Sequence, residues 1–315
     1  MLPAVPHMLD DYVTRFEQVF AAMGRRLNEA ERQHSRGVLA EQLGIAFSKS
    51  QRSSIIMSYS AGVAMPLRYS VTAQHPDLSA TYEHWVDTRK PPFFGAHADA
   101  KVLAVAREAT NAVDCPVLDV GAGTGRDALA VARLGHTVDA VELTPKVVEI
   151  LRDTAAQESM PLRVICEDVF RSSGLLRRDY WLIIVSEVVS DFRSVAEWRA
   201  LLELAARHLR NGGKLLVNVF VAHNGLCVED LATREFAQQV FSFFMTPAEL
   251  AAATRGLPLE LVPSASVDDY ERGNLPADAW PPTPWYEEWV SGQDIFDLPR
   301  EASPVTLMWL VLEKT

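Results

Sequence analysis

The stretch VLDVGAGTGRDALA, residues 117–130, constrains the fold more than any other part of this chain. An apolar run from Pro116 to Leu118 ends at Asp119. Gly121, Gly123 and Gly125 follow on alternate positions, and Asp127 opens a helical pattern through Leu129, Ala130, Val131 and Leu134. Glycine is needed where the main chain turns tightly or where a ligand comes too close for a Cβ. A helix starting at such a turn presents unpaired N–H groups and the positive end of its dipole, an arrangement any nucleotide-like ligand can use.

The flanking text extends this unit into a regular alternation. A helix is predicted from His97 through Ala106, strands at 137–141, 162–166, 180–185 and 214–220, and helices at 145–156 and 195–209. Asn211-Gly212-Gly213 reads as a turn, 245–253 as a helix, and 259–262 and 305–312 as strands. Repeated strand–helix units specify an α/β fold, a doubly wound parallel sheet with helices on both faces and ligands at the carboxyl ends of the strands. Ahead of it, Leu9, Val13, Phe16, Phe20 and Met23, and then Val38, Leu39, Leu43 and Phe47, recur at helical spacing. Residues 1–95 are therefore read as a helical N-terminal cap, and 96–315 as the main domain. Insertions near 222–245 and 264–303 are expected to overhang the sheet edge together with the cap, as lids.

Composition narrows the classes. With 315 residues and 48% hydrophobic content, the chain has room for one large core with a cap. Asp10, Asp11, Arg15, Glu17, Arg25 and Arg26 interrupt any signal-peptide core, and no apolar run approaches the roughly 18 residues of a membrane span. A soluble, cytoplasmic protein with no membrane partner is expected. The net charge of −11 argues against nucleic acid. Cys115, Cys166 and Cys227 are too few and too scattered for a disulfide framework, and read as small buried apolar residues. No His, Asp, Glu and Cys set has metal-site spacing, so no metal is expected.

The glycine turn departs from the dinucleotide fingerprint, because Arg126 follows Gly125 and the third glycine falls one residue early. The next strand ends in Glu142, which can hold a ribose diol, and the third ends in Cys166-Glu167-Asp168, which can accept from an adenine amino group. With LDVGAGTG (118–125), VEL (141–143), EDV (167–169), WLIIVSEVV (181–189), LRNGGKLLV (209–217) and VTLMWLVLEK (305–314), the chain resembles the class I S-adenosylmethionine-dependent methyltransferases. The resemblance implies a seven-stranded, mostly parallel Rossmann-like sheet with an antiparallel last strand. It also implies S-adenosyl-L-methionine as cofactor and S-adenosyl-L-homocysteine as its product. The cofactor set it implies is Asp119, Gly121, Gly123, Gly125, Glu142, Leu143, Asp168, Val169 and Ser186, with Glu142 on the ribose and Asp168 on the adenine.

The acceptor is less defined. The Asn/Asp-Pro-Pro-aromatic motif of nucleic-acid and amide methyltransferases does not follow the fourth strand; Lys90-Pro91-Pro92-Phe93 and Pro281-Pro282-Thr283-Pro284-Trp285 lie elsewhere and read as loops. Ser186-Glu187-Val188-Val189 resembles the opening of the arginine-methyltransferase substrate loop, where a carboxylate grips a guanidinium. That family's second Glu is Ala196 here, with Asp191 and Glu197 nearest, so Glu187 equally reads as a residue facing the cofactor or a helix cap. A small-molecule acceptor is expected, with N-methylation of a cationic amine or guanidinium such as free arginine preferred and O- or C-methylation as the alternative. Glu187, Asp191 and His223 are the candidate catalytic residues, with His97 a second possible base. Glu187, Tyr59 and Tyr69 are the candidate substrate contacts, and a homodimer is the assembly entertained.

Overall fold

The computed structural model describes residues 1–62, 65–223 and 230–315, with the side chains of 60–67 and 263–264 left undescribed. Cys227 and the centre of the 222–245 insertion therefore lie outside the described residues. The chain forms two compact units, Met1–Leu78 with Cys227–Phe241, and Ser79–Leu226 with Ser242–Thr315.

The first unit holds β1 (Leu2–Pro3), α1 (Leu9–Ala22), α2 (Glu29–Lys49), β2 (Ser54–Gly62) and β3 (Met65–Gln74). The two helical patterns read in the sequence fall on separate helices, and Asn28 caps the start of α2. Its side chain accepts from the Glu31 amide while the Glu31 carboxylate accepts from the Asn28 amide, a reciprocal cap. The apolar stripes of both helices meet around Tyr12, Val13, Leu39 and Leu43, with Ile55 from the sheet. Within the stretch read as a helical cap, 54–62 and 65–74 are instead paired antiparallel strands. Tyr59 pairs directly with Tyr69, and β1 completes a three-stranded sheet. These strands are stabilised by cross-strand pairs and by packing on a neighbouring helix, which a local pattern does not display.

The second unit runs α3 (Leu78–Thr88), α4 (Ala100–Ala106), β4 (Val117–Val120), α5 (Arg126–Arg133), β5 (Val138–Glu142), α6 (Pro145–Gln157), β6 (Leu162–Cys166), β7 (Tyr180–Val185), α7 (Val195–His208) and β8 (Leu209–Ala222). After α8 (Leu231–Gln239), which belongs to the first unit, come β9 (Phe244–Met245), α9 (Pro247–Thr254), β10 (Leu259–Ser266), α10 (Val267–Asn274), α11 (Tyr286–Val290) and β11 (Val305–Lys314). The sheet order is β10-β11-β8-β7-β4-β5-β6, with β9 added parallel to the end of β8. β11 is antiparallel to both neighbours, and β4 to β8 are parallel. The chain reverses its direction of strand addition at β4, so the loops after β4, β5 and β7 converge at the carboxyl edge.

Side chains alternate between the two faces of the sheet. Leu118, Ile183, Val185, Leu215 and Val217 share one apolar cluster with Trp198, Leu201 and Leu202 of α7 and Ala253 of α9. The intervening positions Asp119, Asn218 and Trp309 face the other way, where α5 and α10 lie. One face is thus a hydrophobic core, and the other carries buried polar groups towards its carboxyl edge. Cys115 is buried as expected, but Cys166 is exposed, because it ends the edge strand β6. No described helix is long and apolar enough to cross a membrane.

Candidate functional site

All three turn glycines have positive φ: Gly121 at +68°, Gly123 at +54° and Gly125 at +95°. A Cβ on Gly121 would lie 2.3 Å from Val188 Cγ2, and one on Gly123 would lie 3.3 Å from the Phe94 ring. The turn therefore needs glycine for its own backbone and packing before any ligand enters. Its position is set by hydrogen bonds from the Gly121 and Ala122 amides to the Val141 carbonyl.

Glu142, the last residue of β5, stands directly beside this turn. Its Oε2 accepts from the Gly123 amide at 3.0 Å and its Oε1 from the Thr144 amide at 2.8 Å. Each carboxylate oxygen retains a further lone pair, the geometry that suits a vicinal diol. Next to it Leu143 is exposed and offers apolar surface beside the carboxylate. At the end of β6, half-exposed Asp168 accepts from the Phe170 amide through Oδ1, and Val169 is buried below. At the end of β4, Asp119 Oδ2 is buried with no hydrogen-bond partner among the described residues, and burial pushes this carboxyl up to about 7 against the pull of Arg126. A polar bifunctional ligand with a diol, a flat base and a donor group fits these residues.

The loop after β7 holds a structure that the sequence did not reveal. Arg126, the first residue of α5, donates through Nη2 to Glu187 Oε1 at 2.8 Å and to Asp99 Oδ2 at 2.9 Å, and through Nη1 to the Phe94 carbonyl at 2.8 Å. Only 8% of the Arg126 side chain is exposed. Glu187, expected as the anchor of a cationic acceptor, thus has a cation of the chain itself, Arg126, beside it. Burial still raises the Glu187 carboxyl, with Arg126 acting against it. Ser186 donates to Asp99 at 2.6 Å, and Asn218 of β8 accepts from the Glu187 amide at 2.7 Å.

The remaining candidates fall into different surroundings. Asp191 accepts from the Tyr82 hydroxyl of α3 at 2.8 Å. Tyr82, Trp85 and Phe94 form an aromatic group with centroid separations of 5.1 to 6.5 Å. Glu197 is engaged at the start of α7, where it accepts from the Arg193 amide. His223 is exposed at the end of β8 and hydrogen-bonded to the Thr306 hydroxyl; His97 is exposed. Tyr59 and Tyr69 lie in the first unit, where Tyr59 is exposed and Tyr69 packs edge-on against Phe16 at 5.0 Å. Tyr286 of the second insertion is buried among Trp280, Trp285 and Trp289, and burial beside Glu187 and Asp99 raises its hydroxyl. One signal for Arg126 was visible in the sequence: a basic residue at the first position of a helix opposes the dipole and needs acidic partners.

Residues 117–213 match the family described as a methyltransferase domain, and the strand order and glycine turn around them form the Rossmann-like arrangement described above. Over 126 residues the chain is 32% identical to Hemagglutinin 1 of Eikenella corrodens, covering 40% of this chain and 41% of that protein. Over 152 residues it is 26% identical to the ubiquinone biosynthesis O-methyltransferase of Xanthomonas oryzae pv. oryzae, covering 46% and 62%. The matches thus span less than two thirds of these relatives. A solved geranyl diphosphate C-methyltransferase from Streptomyces coelicolor A3(2) has a TM-score of 0.53 at 12% identity, covering 69% of this chain and 78% of that one, and shows the shared fold.

Proposed function

We propose that the protein transfers the methyl group of S-adenosylmethionine to an oxygen or carbon atom of a small molecule. The observation that carries the cofactor reading is Glu142, a buried-edge carboxylate held by the Gly123 and Thr144 amides with its outer lone pairs left for a diol. When bound, S-adenosylmethionine supplies an electrophilic methyl on a sulfonium. Glu142 would hold its ribose, Leu143 and Val169 would flank its adenine, and Asp168 would accept from the adenine amino group. Gly121, Gly123 and Asp119 would border its methionine part.

Transfer needs the acceptor aligned with that methyl and water kept out. Ser186, Glu187 and Asp191 follow β7 at the edge where the acceptor would stand, and half-buried Tyr82 and Phe94 would supply aromatic surface. Asp191 would take the proton of an acceptor that arrives protonated. An oxygen or carbon acceptor is favoured because Glu187 already has its counter-ion in Arg126. The names of the two methyltransferase relatives, one an O- and one a C-methyltransferase, accord with this reading.

The test begins with calorimetric titration of S-adenosylhomocysteine. The protein is then incubated with S-adenosylmethionine bearing a 13C methyl group and with fractionated small-molecule extracts. The carbon chemical shift of the product distinguishes O-, C- and N-methyl groups. An N-methylated cation as the product would overturn the acceptor reading, and binding of NAD with none of either S-adenosyl compound would overturn the whole.

A further inference from the structure

Arg126 sits in an electrostatically adverse place. It opens α5, where unpaired N–H groups and the dipole disfavour a cation, and its side chain is almost wholly removed from water. What holds it is a cluster of acids: Asp99 at 2.9 Å, Glu187 at 2.8 Å and Asp127 at 3.7 Å. Asp127 in turn accepts from the Asp99 amide at 2.8 Å, so the cluster is braced from both sides.

Glu187 shows what this bonding achieves. Its φ is +59°, a left-handed conformation that a residue with a Cβ keeps only when its surroundings hold it. Arg126 holds the side chain and Asn218 holds the amide. A third bond reaches the carbonyl of Phe94, whose ring lies against Gly123. One guanidinium therefore joins the glycine turn, the segment before α4 and the loop after β7. These are the segments that border the methyl-transfer edge.

We propose that Arg126 is the positioning residue of this edge: a guanidinium built into the chain that fills the anionic pocket of Asp99 and Glu187, fixes the loop after β7 on the glycine turn, and leaves the edge shaped for an uncharged acceptor. The acceptor part rests on the methyl-transfer reading of the same edge. A cationic acceptor would have to displace a forked, desolvated guanidinium or lie beside it, and both are unfavourable. Truncating the side chain should leave a pocket whose shape and charge select the missing group.

Arg126→Ala is titrated with methylguanidinium, with urea as a probe of similar shape and no charge, and the wild-type protein is titrated with methylguanidinium and L-arginine. Binding of S-adenosylhomocysteine is measured in each sample. The variant should bind S-adenosylhomocysteine roughly tenfold or more weakly than wild type, and saturating methylguanidinium, but not urea, should restore most of that loss. Adding Glu187→Gln should weaken methylguanidinium binding by about tenfold or more. Wild type should bind neither cation. Should Arg126→Ala fail to fold, the wild-type titrations still decide, since uptake of methylguanidinium or L-arginine at this edge overturns the proposal. Equal effects of urea and methylguanidinium on the variant, or none from either, also overturn it. Failure of wild type to bind S-adenosylhomocysteine removes the methyl-transfer reading and, separately, leaves the pocket to be judged by methylguanidinium binding and melting temperature.

Discussion

Replacing Glu142 with alanine tests the cofactor reading most directly. The carboxylate is 8% exposed and its two oxygens each accept one backbone amide, at 3.0 and 2.8 Å. Those bonds fix the carboxylate plane, so both outer lone pairs are pre-oriented before a ligand arrives. Hydrogen bonds to a charged group contribute about 1.5–3 kcal/mol, so losing the ribose contact should weaken S-adenosylhomocysteine binding by about 10- to 100-fold. The truncation also leaves the Gly123 and Thr144 amides without this acceptor, so stability is measured separately from affinity. Glu142→Gln should be little better, because its amide nitrogen must face one of those backbone donors. Isothermal titration with S-adenosylhomocysteine gives the affinity, and urea unfolding gives the stability independently. A dissociation constant within about threefold of wild type, with the fold intact, would refute the assignment of Glu142 to the ribose.

Three further outcomes follow from the same geometry. Gly125→Ala should destabilise the second unit by about 2–5 kcal/mol in urea unfolding. Its φ is +95° and the new Cβ would stand 2.4 Å from Leu151 Cδ1 and 2.9 Å from Leu129 Cδ1, whereas Gly123→Ala meets only the Phe94 ring at 3.3 Å and should cost less. Asp119, raised to about 7 by burial, keeps its proton in the folded state more readily than in the unfolded state, so its contribution to stability is full below about pH 4 and is lost as pH rises to about 7. Asp119→Asn should therefore gain on wild type across that window in melting experiments run as a pH series. Trp198 is fully buried with its indole N–H unpartnered among the described residues, so Trp198→Phe should cost about 1 kcal/mol and Trp198→Ala about 3–5 kcal/mol, read by urea unfolding.

The sequence by itself determined the alternation of strands and helices, the turn at Gly121 to Gly125, and the acids that end β5 and β6. These are legible because they are local: a strand declares itself by an apolar run, a helix by its period, and a strand end by the first acid or glycine after the run. Glu142 could be placed for the same reason, as the end of one strand beside the turn of its neighbour. What only the tertiary structure decided are the partnerships across distance. Arg126 meets Glu187 from 61 residues away and Tyr82 meets Asp191 from 109, and neither pairing leaves a mark on local periodicity. The pairing of 54–62 with 65–74 was hidden likewise, since the alternation of these strands acquires meaning only against α2 and the opposing strand. A buried charge must be compensated, and the sequence states that need at Glu187. Which cation meets it depends on how β4 and β7 lie side by side, and that adjacency exists only once the sheet has formed.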